Sequence, residues 1–253
     1  MQHVSQPEAP VLNATGSKPG SAKPIRLASY NIRKLRGLDQ TRDRGRFLKI
    51  VNALEADVIA LQEADRRLGD RPAAIAHRMI EEETDFEVVP VATNEVSLGW
   101  HGNAVLVRKG TRVTGISRLT LPGLEPRGAV RVDFNGSATW SMIAVHLGLT
   151  RFHRRQQMQT IARELDTHAD TPSVVIGDFN EWSRSKGFEP LSETYAIHAP
   201  GRSYHAARPV AALDRLALSP GLKLVNAGVE EGPLARMASD HLPIWGDITQ
   251  GEN

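Results

Sequence analysis

The sequence contains no cysteine. Disulfides, thiolate metal sites, iron–sulfur clusters and cysteine nucleophiles are therefore excluded. Aromatic residues make up only 5% of the 253 residues. No basic run is interleaved with them, so the sequence builds no stacking platform for single strands. No apolar run approaches the roughly 20 residues that span a bilayer. There is also little charge of one sign. The formal net charge is +2, although the cations are mostly arginine, which grips phosphate bidentately. Zinc-protease HExxH spacing is absent.

Hydrophobic residues at 40% and charged residues at 24% describe an ordinary globular chain. At this length the core needs no covalent staples. Residues 1–24 are rich in Gln, Pro, Ser, Ala and Gly, with no basic stretch leading into an apolar one. They read as a disordered tail and not as a secretory signal. A cytoplasmic monomer is the expectation. Composition is uniform from 25 to 248, which reads as one domain, and 249–253 reads as a short C-terminal tail.

Alternation predicts a strand over 25–32, and apolar runs predict buried strands at 57–62 and 173–176. The segments 86–92, 103–109, 213–218, 223–229 and 242–248 also read as strands. Asn135-Gly136 between 127–134 and 138–147 predicts a hairpin. Helical spacing marks 44–54 and 152–168, and Pro72 opens a third helix over 71–83. The segment 181–210 reads as a long loop.

The polar residues of interest stand where strands end: Asn31, Glu63, His146, Asp178, Asn180 and Asp240. A rigid sheet presents catalytic groups at such places. A lone carboxylate there is ordinarily a cap or turn residue. Several arriving with Asn and His suggest a site. Asn31, Glu63 and Asp240 are oxygen ligands suited to Mg²⁺. His241 follows Asp240, and His146 ends an apolar strand.

These segments resemble the endonuclease/exonuclease/phosphatase (DNase I-like) superfamily. The resemblance rests on Ser29-Tyr30-Asn31-Ile32, Leu61-Gln62-Glu63, His101-Gly102-Asn103-Ala104, Val145-His146-Leu147, Gly177-Asp178-Phe179-Asn180, Leu213-Asp214-Arg215 and Ser239-Asp240-His241-Leu242-Pro243, in that order. The stretch from His146 through Arg154 and the Asp178-Phe179-Asn180-Glu181-Trp182 segment are similar to the bacterial YbhP-like branch.

The resemblance implies an α/β fold of two packed, mostly antiparallel sheets flanked by helices, a four-layer α/β/β/α sandwich. It implies a hydrolase using Mg²⁺, with Mn²⁺ as a substitute. Glu63 would hold the metal, with Asn31 and Asp240 on the metal or its waters. Asp178 would orient or deprotonate water, and Asn180 would hold water or phosphate. Asp214 would fix the tautomer of His241, which donates to a phosphoryl oxygen. His146 would face the leaving group. Asn103 and Arg127 would contact substrate.

Basic clusters follow both Asn31 (Arg33, Lys34, Arg36, Arg42, Arg44 and Arg46) and His146 (Arg151, Arg154 and Arg155). They suit a phosphodiester in nucleic acid or an anionic phospholipid. A phosphomonoesterase acting on a small metabolite or lipid is the alternative. A binding module with a dead site is a third reading, and it requires a missing functional residue.

Overall fold

A computed structural model describes residues 23–136 and 139–251. The expected N-terminal tail lies outside the described residues up to position 22. Position 138 and the last two positions of the C-terminal tail also lie outside them.

Among the described residues twelve strands run in chain order: β1 (Ile25–Asn31), β2 (Val58–Gln62), β3 (Phe86–Val88), β4 (Ala104–Arg108), β5 (Val113–Leu121), β6 (Arg127–Asn135), β7 (Thr139–His146), β8 (Ser173–Asp178), β9 (Ala196–His198), β10 (Asp214–Leu218), β11 (Leu222–Val229) and β12 (Ile244–Gln250). Among the described residues the α-helices between them are α1 (Arg44–Ala53), α2 (His77–Glu83), α3 (Arg151–Asp166), α4 (Glu189–Ser192) and α5 (Pro233–Ala238). Among the described residues no helix is long and apolar enough to cross a membrane.

The strands form two six-stranded sheets, ordered β11-β12-β1-β2-β4-β3 and β5-β6-β7-β8-β10-β9. Each sheet is antiparallel except for one parallel pair, β1 with β2 and β7 with β8. A parallel pair needs a crossover. Here α1 and α3 supply it. Apolar clusters fall on both sides of each sheet. Val58, Ala60, Val105, Val132, Ala144 and Ile176 pack between the sheets. Phe47, Ile50 and Val51 of α1 pack on the outer face of the first sheet. Met158, Ile161 and Leu165 of α3 pack on the outer face of the second. The result is the four-layer sandwich expected.

The strands β1, β2, β7 and β8 are buried along almost their whole length, as strands covered on both faces must be. Caps begin the crossover helices. Asp43 accepts the Arg46 N–H at 2.9 Å to start α1, and Thr150 accepts the His153 N–H at 3.4 Å to start α3.

The structure corrects several boundaries. The helix expected over 71–83 begins only at His77. Arg71 has φ +54, and Ala73 and Ala74 give their N–H groups to Val96 and Ala64, so no helical ladder can form there. The strand expected over 86–92 stops at Val88. β12 continues to Gln250, two residues into the expected tail. β5 was not foreseen: a bulge between Val113 and Gly115 breaks its alternation. The expected loop 181–210 contains α4 and β9, both too short to show a period.

Candidate active site

The two parallel pairs bring four strand ends to one edge of the sandwich. Asn31 ends β1, Glu63 follows β2, His146 ends β7 and Asp178 ends β8. Register then aligns the second sheet. His146 pairs with Asp178, and Asp178 pairs with Asp214 at the start of β10. Three chemically active side chains therefore share one row across three strands.

Asp178 is the centre of this row. It is buried, and its Oδ2 accepts the Asn31 carboxamide at 3.1 Å. The same oxygen lies 3.5 Å from His146 Nε2 and 3.6 Å from His241 Nε2. The other oxygen accepts the Asn180 backbone N–H at 2.9 Å. Burial pushes the Asp178 carboxyl up to about 6, with the neighbouring His241 opposing and Asp214 assisting.

The two histidines differ in charge. The His241 Nδ1 lies 2.9 Å from Asp214 Oδ2. Burial opposes its protonation, but the Asp214 and Asp178 carboxylates outweigh it and raise His241 to about 10. His241 is therefore an imidazolium at neutral pH. For His146, burial and the adjacent Arg127 hold the ring well below its ordinary value. Arg127 donates to His146 Nδ1 at 2.8 Å. A guanidinium can only donate, so His146 is neutral and its proton sits on Nε2. Both rings thus direct an Nε2–H toward Asp178, one charged and one neutral.

The carboxylates assigned to metal sit beside this row. Lys34 donates to Glu63 Oε2, and Arg33 Nε lies 3.7 Å from Asp240 Oδ2. Both cations belong to the 3-10 turn Arg33–Leu35 directly after Asn31. Ser239 donates its hydroxyl to the Asn31 carbonyl at 2.6 Å, which fixes the Asp240 segment against β1. Asn31, Glu63 and Asp240 are thereby gathered around one turn. Their donors are all oxygen, as a hard divalent cation prefers.

Asp178, Asp214 and His241 also cluster closely enough to be considered a metal site. Their chemistry argues otherwise. A histidine ligand must be neutral, whereas the Asp214 and Asp178 carboxylates hold His241 as an imidazolium with both ring nitrogens protonated.

Asn180 donates its carboxamide to the Leu147 carbonyl at 2.9 Å and holds φ +51. Asn103 is fully buried, donates to the Gly128 carbonyl at 2.8 Å, and leaves its Oδ1 without a partner. It braces the residue after Arg127. Arg127 pairs with Glu125 at 2.6 Å and lines a cavity of about 280 Å³ together with Glu63 and His146.

Two contributors, Ser203 and Tyr204, do not show in the sequence, and the pairing of a third, Glu181, does not either. Ser203 donates its hydroxyl to Asp214 Oδ2. Tyr204 sets its ring 5.0 Å from that of His241. Glu181 pairs with the buried Arg154 at 2.7 Å, tying the loop after Asp178 to α3. The first two lie in the long segment read as a loop, where no periodicity signals them. Glu181 and Arg154 were noticed as motif residues, but their pairing is tertiary.

Gly177 immediately precedes Asp178, with φ +150, and a Cβ there would drive into the Val145 carbonyl of β7. Gly177→Ala is expected to cost roughly 2–6 kcal/mol from backbone strain and overpacking together. Chemical denaturation of the two proteins measures it directly.

Comparison with known proteins agrees with this geometry. The model of the endonuclease/exonuclease/phosphatase family matches residues 28–241. The Escherichia coli (strain K12) protein YbhP is 29% identical over 220 residues, covering 78% of this chain and 85% of YbhP. Among solved structures, the human Nocturnin catalytic domain with bound sulfate has a TM-score of 0.69 at 18% identity, covering 90% of this chain and 95% of that one. The Bacteroides thetaiotaomicron mannosyl-6-phosphatase Bt3783 has a TM-score of 0.69 at 14% identity, covering 89% and 99%. At these identities the structural likenesses speak for the fold alone.

Proposed function

The chain belongs to the endonuclease/exonuclease/phosphatase family, and on that premise we propose that it is a Mg²⁺-dependent phosphodiesterase that uses water as nucleophile. Its catalytic domain extends from residue 25 to 248. The observation that carries this reading is the single Asp178 oxygen set between two histidine Nε2 atoms at 3.5 and 3.6 Å. One carboxylate and two N–H donors of different charge are the parts a phosphoryl displacement uses.

Asp178 acts as the base that orients and deprotonates water. A carboxyl raised to about 6 is a better base near neutrality than an ordinary one. The Asn180 backbone N–H and the Asn31 carboxamide hold its two oxygens in place. His241 donates Nε2–H to a non-bridging phosphoryl oxygen, and Asp214 keeps it charged. His146, neutral and oriented by Arg127, donates Nε2–H on the leaving-group side. Asn180 contributes to holding water or phosphate. Glu63, Asn31 and Asp240 hold the cation, Mn²⁺ serving in place of Mg²⁺. When bound, the cation supplies Lewis-acid polarisation of the phosphoryl group.

The charge balance favours a diester over a monoester. Arg127 is neutralised by Glu125, and His146 is uncharged. Within the row His241 is the charged histidine, but Asp214 already balances its charge, so the row offers a dianionic phosphate no surplus positive charge. The test compares bis(p-nitrophenyl) phosphate with p-nitrophenyl phosphate, and supercoiled plasmid with anionic phospholipid vesicles, each with Mg²⁺ and with EDTA. Turnover confined to the monoester would reverse the assignment.

The pH profile is expected to be bell-shaped. Asp178 must be ionised, so the rate falls as pH drops through about 6. His241 must be protonated, so the rate falls again as pH rises through about 10. A kcat/KM profile with bis(p-nitrophenyl) phosphate checks both limbs, and the Asp214→Asn variant should move the basic limb downward.

A further inference from the structure

The loop after β2 carries Arg66, Arg67 and Arg71, which wall the same cavity that Glu63, Arg127 and His146 line. Three carboxylates also line it, and each is engaged. Asp65 is buried and accepts the backbone N–H groups of Leu98 at 2.6 Å and Gly99 at 3.2 Å. Glu125 pairs with Arg127 at 2.6 Å. Glu63 is held by Lys34, with Arg67 at 3.7 Å. Among the described residues, neither Arg66 nor Arg71 has a carboxylate within ion-pair distance, 4.0 Å.

Arg71 is held by a neutral group instead. Its Nη1 donates to His101 Nδ1 at 3.1 Å. That contact holds the guanidinium without placing a carboxylate within 4.0 Å of it. The loop itself is anchored: Ala64 donates to the Gly102 carbonyl at 3.0 Å, Ala74 to the Ala64 carbonyl at 2.9 Å, and Asp65 bridges Ala73. A guanidinium held at a cavity wall with no carboxylate within 4.0 Å, with Arg66 and Arg67 lining the same cavity, makes an anion site, and its planar fork matches phosphate.

The geometry points to a second phosphoryl subsite here: Arg66, Arg67 and Arg71 bind a phosphoryl group of the substrate other than the one attacked beside Asp178. This rests on the phosphodiesterase reading and narrows it to substrates carrying two phosphoryl groups. The attacked diester sits at the histidine row, and the second group lies across His146 in the arginine cavity.

Non-hydrolysable probes test it. Calorimetry on the full chain with Mg²⁺ compares propane-1,3-diyl bisphosphonate with propylphosphonate. The bisphosphonate is expected to bind at least about tenfold tighter, and Arg71→Ala should reduce that ratio to near one while Arg71→Lys retains part of it. Equal binding of the two probes by the wild type overturns the subsite. A preference that survives Arg71→Ala overturns its location. Hydrolysis of bis(p-nitrophenyl) phosphate, which has no second anion, reports separately on the phosphodiesterase reading.

A second arm identifies the carrier of the group by competition against that hydrolysis. Arg71-dependent preference for pdTpdT over dTpdT supports a nucleotide. Arg71-dependent preference for dihexanoyl phosphatidylinositol 4-phosphate over dihexanoyl phosphatidylinositol supports a lipid. Competition by neither overturns a substrate-borne second phosphoryl group.

Discussion

Asp178→Asn is expected to lower kcat/KM by about 10²–10⁴-fold, the usual contribution of a positioned general base. The substitution keeps shape and volume, so the melting midpoint should stay within a few degrees. Three features make the effect specific. The Asp178 carboxylate is buried, it is the shared neighbour of both histidines, and its pKa stands at about 6. An amide has no lone pair able to take a proton from water at this pH. A loss confined to KM, with kcat retained, would assign Asp178 to binding and remove the base from the mechanism.

His241→Ala has a double consequence. The rate should fall by about 10²–10³-fold, because the charged donor to the phosphoryl oxygen is gone. Stability should also fall, by about 3–5 kcal/mol, because a buried carboxylate loses its counter-charge. Asp214 has few alternatives: Ser203 is its remaining side-chain donor, and its Oδ1 has no partner. The double variant His241→Ala with Asp214→Asn removes that stranded charge. It should recover much of the stability and none of the activity. Urea denaturation and initial rates on the same four proteins form a complete cycle. Stability unaffected by His241→Ala would mean that Asp214 is neutral in the folded state, and the charged His241 would have to be given up.

Most of this arrangement was readable before any coordinates. Buried runs such as Val58–Gln62 and Ser173–Asp178 announce covered strands, and the polar residue that ends each run marks the edge where the site lies. The motifs around Asn31, Glu63, Asp178 and His241 led to the family, and the fold followed from it. The structure gathers those residues because each sheet contains one parallel pair, a fact of pairing that no local pattern encodes.

What escaped the sequence has a common physical cause. Ser203 and Tyr204 reach the site only because their loop returns to pair with Ala211 and His241: Ser203 donates its N–H to the Ala211 carbonyl and accepts the Leu242 N–H on its own carbonyl. Asn103 was expected to contact substrate, and the structure buries it behind Arg127, where it donates to the Gly128 carbonyl. The false helical start at Pro72 shows a local rule losing to long-range backbone bonds at Ala73 and Ala74. Opposite charge states for His146 and His241 could not be read from their flanks, since they depend on which partner, Arg127 or Asp214, tertiary structure supplies.

The most direct measurement is a Mg²⁺ titration of EDTA-treated protein, followed by p-nitrophenolate release from bis(p-nitrophenyl) phosphate, in the wild type and in Glu63→Gln. Turnover should be absent without the cation and restored saturably by it. Glu63→Gln should need at least about tenfold more Mg²⁺ to reach half its own maximal rate, as expected when a ligand carboxylate is lost. Turnover that persists in EDTA, or a Glu63→Gln midpoint equal to that of the wild type, would contradict a metal-dependent phosphoesterase built on these strand ends.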